Sequence, residues 1–227
     1  MLDFISGPLF IFSLLFFFVS LALRAVLYIR GLDANLERVA YTAHPERSII
    51  GIFISIFKWL VPGGTQGWRA QPLATVAFFL LHFGAVLLPF FLLGHTILLE
   101  SALGISLPSL PKSLSDLLTF MSLAGLVLLV LRRLRVPAVR HLTGIGDWAV
   151  LLLTILPFFT GAMARFSSES SYATWILLHV LSGELFLILA PFTKLSHIVL
   201  FFMSRAQLGM DYAIKRGGRT RGGVFPW

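Results

Sequence analysis

No cysteine occurs in the 227 residues. That absence excludes disulfides, cysteine-ligated iron–sulfur clusters, thiolate zinc sites and the C-x-x-C-H attachment of a covalently bound haem. Any metal has to be held by other side chains, and histidine is the first candidate. Charge is scarce as well: 12% of residues are charged, against 57% apolar, with 22 Phe and a mean hydropathy of +0.90. A soluble domain with so few charges lies far outside the usual composition. Strand-length alternation of apolar and polar residues is also missing, so nothing points to a membrane barrel. What recurs instead is apolar runs of about 20 residues, the length at which an α-helix crosses the hydrocarbon of a bilayer. The sequence therefore predicts an all-α integral membrane protein with the lipid bilayer as its surroundings. The net charge of +8 does not indicate a nucleic-acid partner in so apolar a chain; the cations mark the cytoplasmic face.

Five transmembrane helices are predicted, at 7–29, 74–99, 114–131, 146–164 and 172–203, within one domain covering 1–227. The first run lacks the basic start and small-residue cleavage site of a signal peptide and ends in Arg24 and Arg30, as a retained span does. Residues 31–47 are polar. The segment SIIGIFISIFKWLV at 48–61 is too short to cross and stops at Pro62-Gly63-Gly64, which predicts an interfacial cytoplasmic helix between helices 1 and 2. With the N-terminus outside, 16 of the 18 Lys and Arg residues fall on the inner side, and only Lys112 and Arg165 remain outside. By the positive-inside rule the C-terminus is cytoplasmic. The basic tail, 204–227, ends in the glycine-rich KRGGRTRGGVFPW, read as flexible until it meets a partner or lipid.

Six histidines are present. His44 and His141 fall in cytoplasmic loops and read as surface residues. His82, His95, His179 and His197 fall within spans or at their ends, where ionisable residues are costly and usually functional. A lone intramembrane histidine is explained by a hydrogen bond to a neighbouring helix. Two on each of two helices ask for more, and neutral imidazole is a good axial ligand to haem iron. Because the second span runs inward to outward and the fifth outward to inward, depth alone sorts them. His82 pairs with His197 on the inner side, and His95 with His179 on the outer side. On a continuous fifth helix the interval from His179 to His197 is about five turns, which puts both on one face about 27 Å apart, enough for two stacked haems. Gly183, Phe186, Ala190 and Thr193 lie on that stripe; small residues there admit a porphyrin edge or serve ordinary helix packing. On the second helix, His82 and His95 are about 20 Å apart but about 140° out of phase. Pro89 offers a kink to supply part of that rotation, and Gly84 and Gly94 flank the two histidines.

The segments LLHFGAVLLPFFLLGH at 80–95 and LLHVLSGELFLILAPFTKLSHI at 177–198 resemble the second and fifth helices of the respiratory nitrate reductase gamma subunit family, five-helix dihaem b-type cytochromes. The five-span layout extends the resemblance over most of the chain, although the interval between the histidines of helix 2 is a few residues wider here. The resemblance implies that His82 and His197 ligate an inner haem b and His95 and His179 an outer one. The stretch RGLDANLERVAY and the segment 48–61 are more similar to related subunits of sulfate-reducing bacteria, such as the cytochrome b subunit of the high-molecular-mass cytochrome c complex. What that likeness implies is a bacterial inner-membrane subunit, N-terminus periplasmic. Its partners would be a periplasmic multihaem cytochrome c, a cytoplasmic iron–sulfur (heterodisulfide reductase-like) subunit and other membrane subunits.

The implied activity is electron transfer across the bilayer as part of an oxidoreductase complex. Any bond-making chemistry would sit at a quinone, such as menaquinone, bound beside the outer haem near Gly94 and His95. Glu100, Lys112 and Arg165 are outer-side groups able to hydrogen-bond a quinone or move its protons, although none is specific and each is better explained as a solvated interfacial charge. In the direct route from a cytochrome c no quinone binds. Glu184, the one acid in mid-span, reads either as a proton relay or as a hydrogen-bonded structural group. Lys194 either snorkels to the interface or neutralises a haem propionate. Arg132, Arg133, Arg135 and Arg140 suit an iron–sulfur partner or anionic lipid equally. Two other classes stay open: a haem-free membrane anchor, and a small proton-coupled transporter, although Pro89 and Pro157 do not form the matching halves of an inverted repeat.

Overall fold

The computed structural model describes residues 4–32 and 45–215, and every regular element among them is helical. Within hydrocarbon no water is available to the backbone, so each N–H and C=O has to be satisfied inside its own segment, and the apolar runs become helices. Five are long and apolar enough to cross a membrane: Ile5–Arg30, Pro72–Phe91, Lys112–Arg135, Ile145–Phe166 and Glu169–Phe192. The protein is thus a multi-pass membrane protein of all-α class. The first span opens with a π-helical turn, Ile5–Leu9, that contains Pro8 and continues into α1, Phe10–Arg30. After it come α2 (Pro45–Leu60), α3 (Gln66–Ala70), α4 (Pro72–Phe91) and α5 (Leu93–Leu103). The rest are α6 (Lys112–Arg135), α7 (Pro137–His141), α8 (Ile145–Phe166), α9 (Glu169–Leu189) and α10 (His197–Lys215). His44 and residues 216–227, including most of the glycine-rich tail, lie outside the described residues.

Two of the expected spans are not continuous helices, and both departures fall at histidine-bearing segments. The second, expected over 74–99, stops at Phe91; Leu92 adopts an extended conformation (φ −70°, ψ 132°) and α5 starts afresh at Leu93. Pro89 sits inside α4, so the rotation comes from the break at Leu92, and counting about 140° along one ideal helix does not apply. The fifth span, expected over 172–203, ends earlier. After α9 the chain makes a tight helical turn at Ala190–Phe192, extends at Thr193 (φ −111°, ψ −173°), makes another turn at Lys194–Ser196 and only then enters α10. Pro191 has no N–H to donate and its ring crowds the preceding turn, which accounts for the stop. His179 and His197 therefore do not share one helix, and the common-face argument built on their interval of about five turns fails. The segment 204–215, expected as tail, belongs to α10.

The chain divides into two compact units, residues 1–18 with 76–193, and residues 19–75 with 194–227. In the first, α4, α6 and α8 meet at Leu81, Leu126 and Leu151, with Ala85, Ile155 and Phe158 packed around them. Small residues bring α4 and α6 to backbone contact. A side-chain carbon on Gly125 would lie 2.7 Å from both the Ala77 carbonyl oxygen and the Leu81 nitrogen, and Ser122 donates a hydrogen bond of 3.2 Å to the Leu81 carbonyl. Gly125→Ala should therefore destabilise the protein by roughly 1–3 kcal/mol, because backbone on the facing helix cannot yield as a side chain would. Gly146→Ala, with nothing within 4 Å, should be near neutral. Unfolding in mixed detergent checks the pair, and equal effects would refute the close packing.

In the second unit α2 lies along α10, with Gly209 of α10 packed on the backbone of Gly51 and Ile52. The Arg205 guanidinium sits 4.8 Å over the Trp59 ring, and burial lowers its pKa from the ordinary value. Trp68 packs edge-on against Trp59 and donates its indole N–H to the Trp59 carbonyl at 3.1 Å. The expectation that 48–61 is too short to cross holds. One face of α2 is covered by α10, while Ile49, Ile50, Phe53, Phe57 and Leu60 line an exposed apolar stripe.

Candidate functional site

His95 and His179 meet inside the first unit. Their rings are parallel within 4°, with centroids 5.7 Å apart, and their Nε2 atoms face each other at 3.4 Å. The break at Leu92 makes this possible. At the end of α4 the Leu88 carbonyl accepts the N–H of Leu92 at 3.1 Å and also a hydrogen bond of 2.9 Å from His95 Nδ1. The Phe91 carbonyl is capped at 2.8 Å by the N–H of Leu110. Across the site, His179 Nδ1 donates to the Pro157 carbonyl of α8 at 3.0 Å, and Thr160 Oγ1 lies 3.5 Å from the same nitrogen.

These bonds decide the tautomers. A carbonyl oxygen only accepts, so both Nδ1 atoms carry the proton, and a neutral imidazole then has a lone pair on Nε2. Two lone pairs pointed at each other repel. The arrangement is relieved by an electron-pair acceptor between them, or by an added proton that makes one ring a buried cation, which is expensive in an apolar interior. Two imidazoles on opposite sides of one metal stand about 4 Å apart, twice a metal–nitrogen bond of about 2.0–2.1 Å. The observed separation is within a small ring movement of that. Among the described residues no three His, Asp or Glu side chains gather. A histidine pair is incomplete as a tetrahedral zinc site of four protein ligands, yet it is a full axial set for iron already held in a macrocycle.

Two glycines beside the pair leave open space. A side-chain carbon on Gly94, next to His95, or on Gly183, one turn after His179 on the same face, would meet nothing within 4 Å. Gly161 of α8 does the opposite job. A carbon there would stand 2.9 Å from His179 Cε1 and 3.0 Å from Nδ1, so the glycine lets the imidazole lie flat on α8. Thr160, Gly161, Ser182 and the carbonyls of Leu88 and Pro157 escaped the sequence reading. The Thr-Gly pair after Pro157 is the one trace of them in the sequence, a small-residue step on a span facing another.

His82 lies in the first unit. Its Nδ1 donates to the Phe78 carbonyl at 2.7 Å and its ring stacks on Phe78 with centroids 3.7 Å apart. His197 opens α10 in the second unit, where its Nδ1 donates to the Lys194 carbonyl at 2.9 Å. All four histidines thus use Nδ1 on a backbone carbonyl. Of the candidate quinone residues, Gly94 adjoins His95, while Glu100 and Lys112 are exposed. Arg165 does not stand as an unengaged cation: it forms a two-pronged ion pair with Asp116 at 3.0 and 3.1 Å. Glu184 is buried, with neither carboxylate oxygen hydrogen-bonded. Arg133 bonds Thr143 at 3.2 Å and lies 3.9 Å from Asp147, so part of the basic cluster fastens α6 to the start of α8. His141 is exposed.

No protein-family model matches the chain, and no solved structure matches it. Among curated proteins it is similar to a protein of Nitratidesulfovibrio vulgaris (strain Hildenborough), 56% identical over 227 residues, which is the whole length of both chains.

Proposed function

This chain belongs to one family with that Nitratidesulfovibrio vulgaris protein, and we propose that it is a membrane cytochrome b subunit carrying electrons across the bilayer through two haem b groups. The observation that carries the reading is the facing pair of Nε2 lone pairs at 3.4 Å, a donor set that lacks only the metal between its members. His95 and His179 hold the outer group in this proposal, and His82 and His197 the inner one. When bound, haem supplies an iron centre that changes charge by one electron.

The chain's own part is to fix the ligands and keep water away. The carbonyls of Leu88, Pro157, Phe78 and Lys194 hold each imidazole in the tautomer that offers Nε2, the usual outer-shell device that orients a ligating histidine and raises its basicity. Apolar spans lower the dielectric around both sites, and Lys194 stands beside His197 as a cation suited to a propionate. A menaquinone bound near Gly94 would have Glu100 and Lys112 as its polar neighbours. Arg165 would have to leave Asp116 to take part.

The excess of Lys and Arg on the inner loops supports a bacterial inner-membrane location with the N-terminus periplasmic. Assembly with a periplasmic multihaem cytochrome c and a cytoplasmic iron–sulfur subunit is part of this proposal. This is the arrangement implied by the resemblance to the nitrate reductase gamma subunit and its relatives in sulfate reducers. A pyridine haemochrome spectrum with protein quantitation on the purified chain is expected to give two b-type haems per chain. Folded protein that contains no haem, from cells supplied with it, would overturn the proposal in favour of an anchor or a transporter with a proton-sharing histidine pair.

A further inference from the structure

Glu184 stands out once the histidines are accounted for. It lies eight residues before the end of its span at Phe192, is 4% exposed, and neither of its carboxylate oxygens has a hydrogen-bond partner. Buried polar side chains are nearly always hydrogen-bonded, and an ionised carboxylate in the bilayer interior is held only against a cation or water. Among the described residues Glu184 has no hydrogen-bond partner. Against α9 pack α8, the π-helical turn Ile5–Leu9 and the turn Ala190–Phe192, and α5 meets it through the His95–His179 pair. Of these α8 carries Asp147 and Arg165, both at its ends in ion pairs with Arg133 and Asp116, and α5 carries His95, with Nδ1 on the Leu88 carbonyl, and the exposed Glu100. On α9 itself Glu169 and Tyr172 lie in the first turn. His179 is five residues back, about 140° around the helix, with Nδ1 committed to Pro157.

None of these charged groups is hydrogen-bonded to Glu184. The Phe16 ring lies 5.8 Å from Phe192, and the π-helical turn also packs on α9, so the first span and α9 run side by side. Eight residues back from each of those phenylalanines come Pro8 and Glu184. Pro8 has no N–H to donate and lies inside the π-helical turn. An isolated π-helical turn is itself a departure from the α-helix that is frequent at functional sites. A carboxyl buried where a leucine would pack without penalty, with no hydrogen-bond partner among the described residues, needs a small exchangeable species to complete it.

We propose that Glu184 is a proton-exchange site inside the bilayer, neutral at rest, whose acidic proton passes to and from a water molecule admitted beside the π-helical turn. The O–H bond breaks, the proton leaves with water, and a proton from that water restores the acid; no electron moves. The inference stands on burial and missing partners and does not need the dihaem reading.

Infrared spectra of the full-length protein in proteoliposomes test it, with the Glu184→Gln variant used for assignment. The expected result is a neutral carboxylic C=O band that shifts when the buffer is changed to D2O and is missing from E184Q. Glu184→Leu should lose the same band, which guards against an effect peculiar to the amide. Absence of a neutral-acid band assignable to Glu184 would overturn the proposal, and so would a band that does not move in D2O. Haem content measured on the same samples keeps the two proposals apart. A haem-free protein that shows the exchanging band refutes only the dihaem reading.

Discussion

His95→Ala and His179→Ala are each expected to halve the haem content, from two per chain to one, and to remove the same spectral component. The two rings converge from α5 and α9 onto one point between their Nε2 atoms. Loss of either leaves a single axial donor, and the group it shared is lost in purification. The double variant should be no worse than either single one, because residues that act as a unit are not additive. His82→Ala and His197→Ala should remove the other component. Difference spectra during a redox titration read all of this on one preparation. If His95→Ala and His179→Ala removed different haems, the pairing would be wrong, whatever the total content.

Gly161→Ala is expected to give nearly the same loss although no atom of residue 161 would touch the metal. The added carbon would stand 2.9 Å from His179 Cε1, well inside the separation of about 3.5–4.0 Å at which carbon atoms pack. The imidazole has to swing off α8, and in doing so it gives up its 3.0 Å bond to the Pro157 carbonyl. Disturbing the group that orients a ligating histidine weakens metal retention by about 10–100-fold. The outer component should therefore be depleted while the inner one keeps its spectrum and potential. Thermal unfolding distinguishes this from plain misfolding, since a variant that loses both components and its melting transition has lost the fold. Full retention of the outer component would mean that His179 does not lie on Gly161 in the loaded protein.

Much of this protein was legible without coordinates. The five spans follow from run length and hydropathy, since a bilayer leaves few alternatives to a long apolar segment. The pairing of His95 with His179 followed from direction of travel alone, because depth is one coordinate and alternating helices reverse it. Azimuth was not legible. The 140° mismatch on the second span disappears at Leu92, and the common face on the fifth disappears at Pro191 and Thr193. Pro89 was the visible suspect for the first of these, yet it rides inside α4. Leu92 carries no signal in its own identity; the break is stabilised by Leu110 from a loop and by the His95 ring. Arg165 illustrates the same limit in charge. Its isolation outside the membrane was read from the sequence, and its commitment to Asp116 on another helix was not.

What the sequence by itself determined is the class and the inventory. Scarce charge and recurrent apolar runs put the chain in a membrane, the absence of cysteine left histidine as the metal ligand to consider, and helix direction paired His95 with His179. Those are one-dimensional quantities of composition, length and order. Only the tertiary structure decided how the rings face, because that depends on which backbone carbonyl each Nδ1 meets and on where two helices stop. It also decided that Gly161 underlies His179 and that Glu184 is buried without a partner. Both facts are set by packing between segments far apart in the chain, which no local pattern along α8 or α9 encodes.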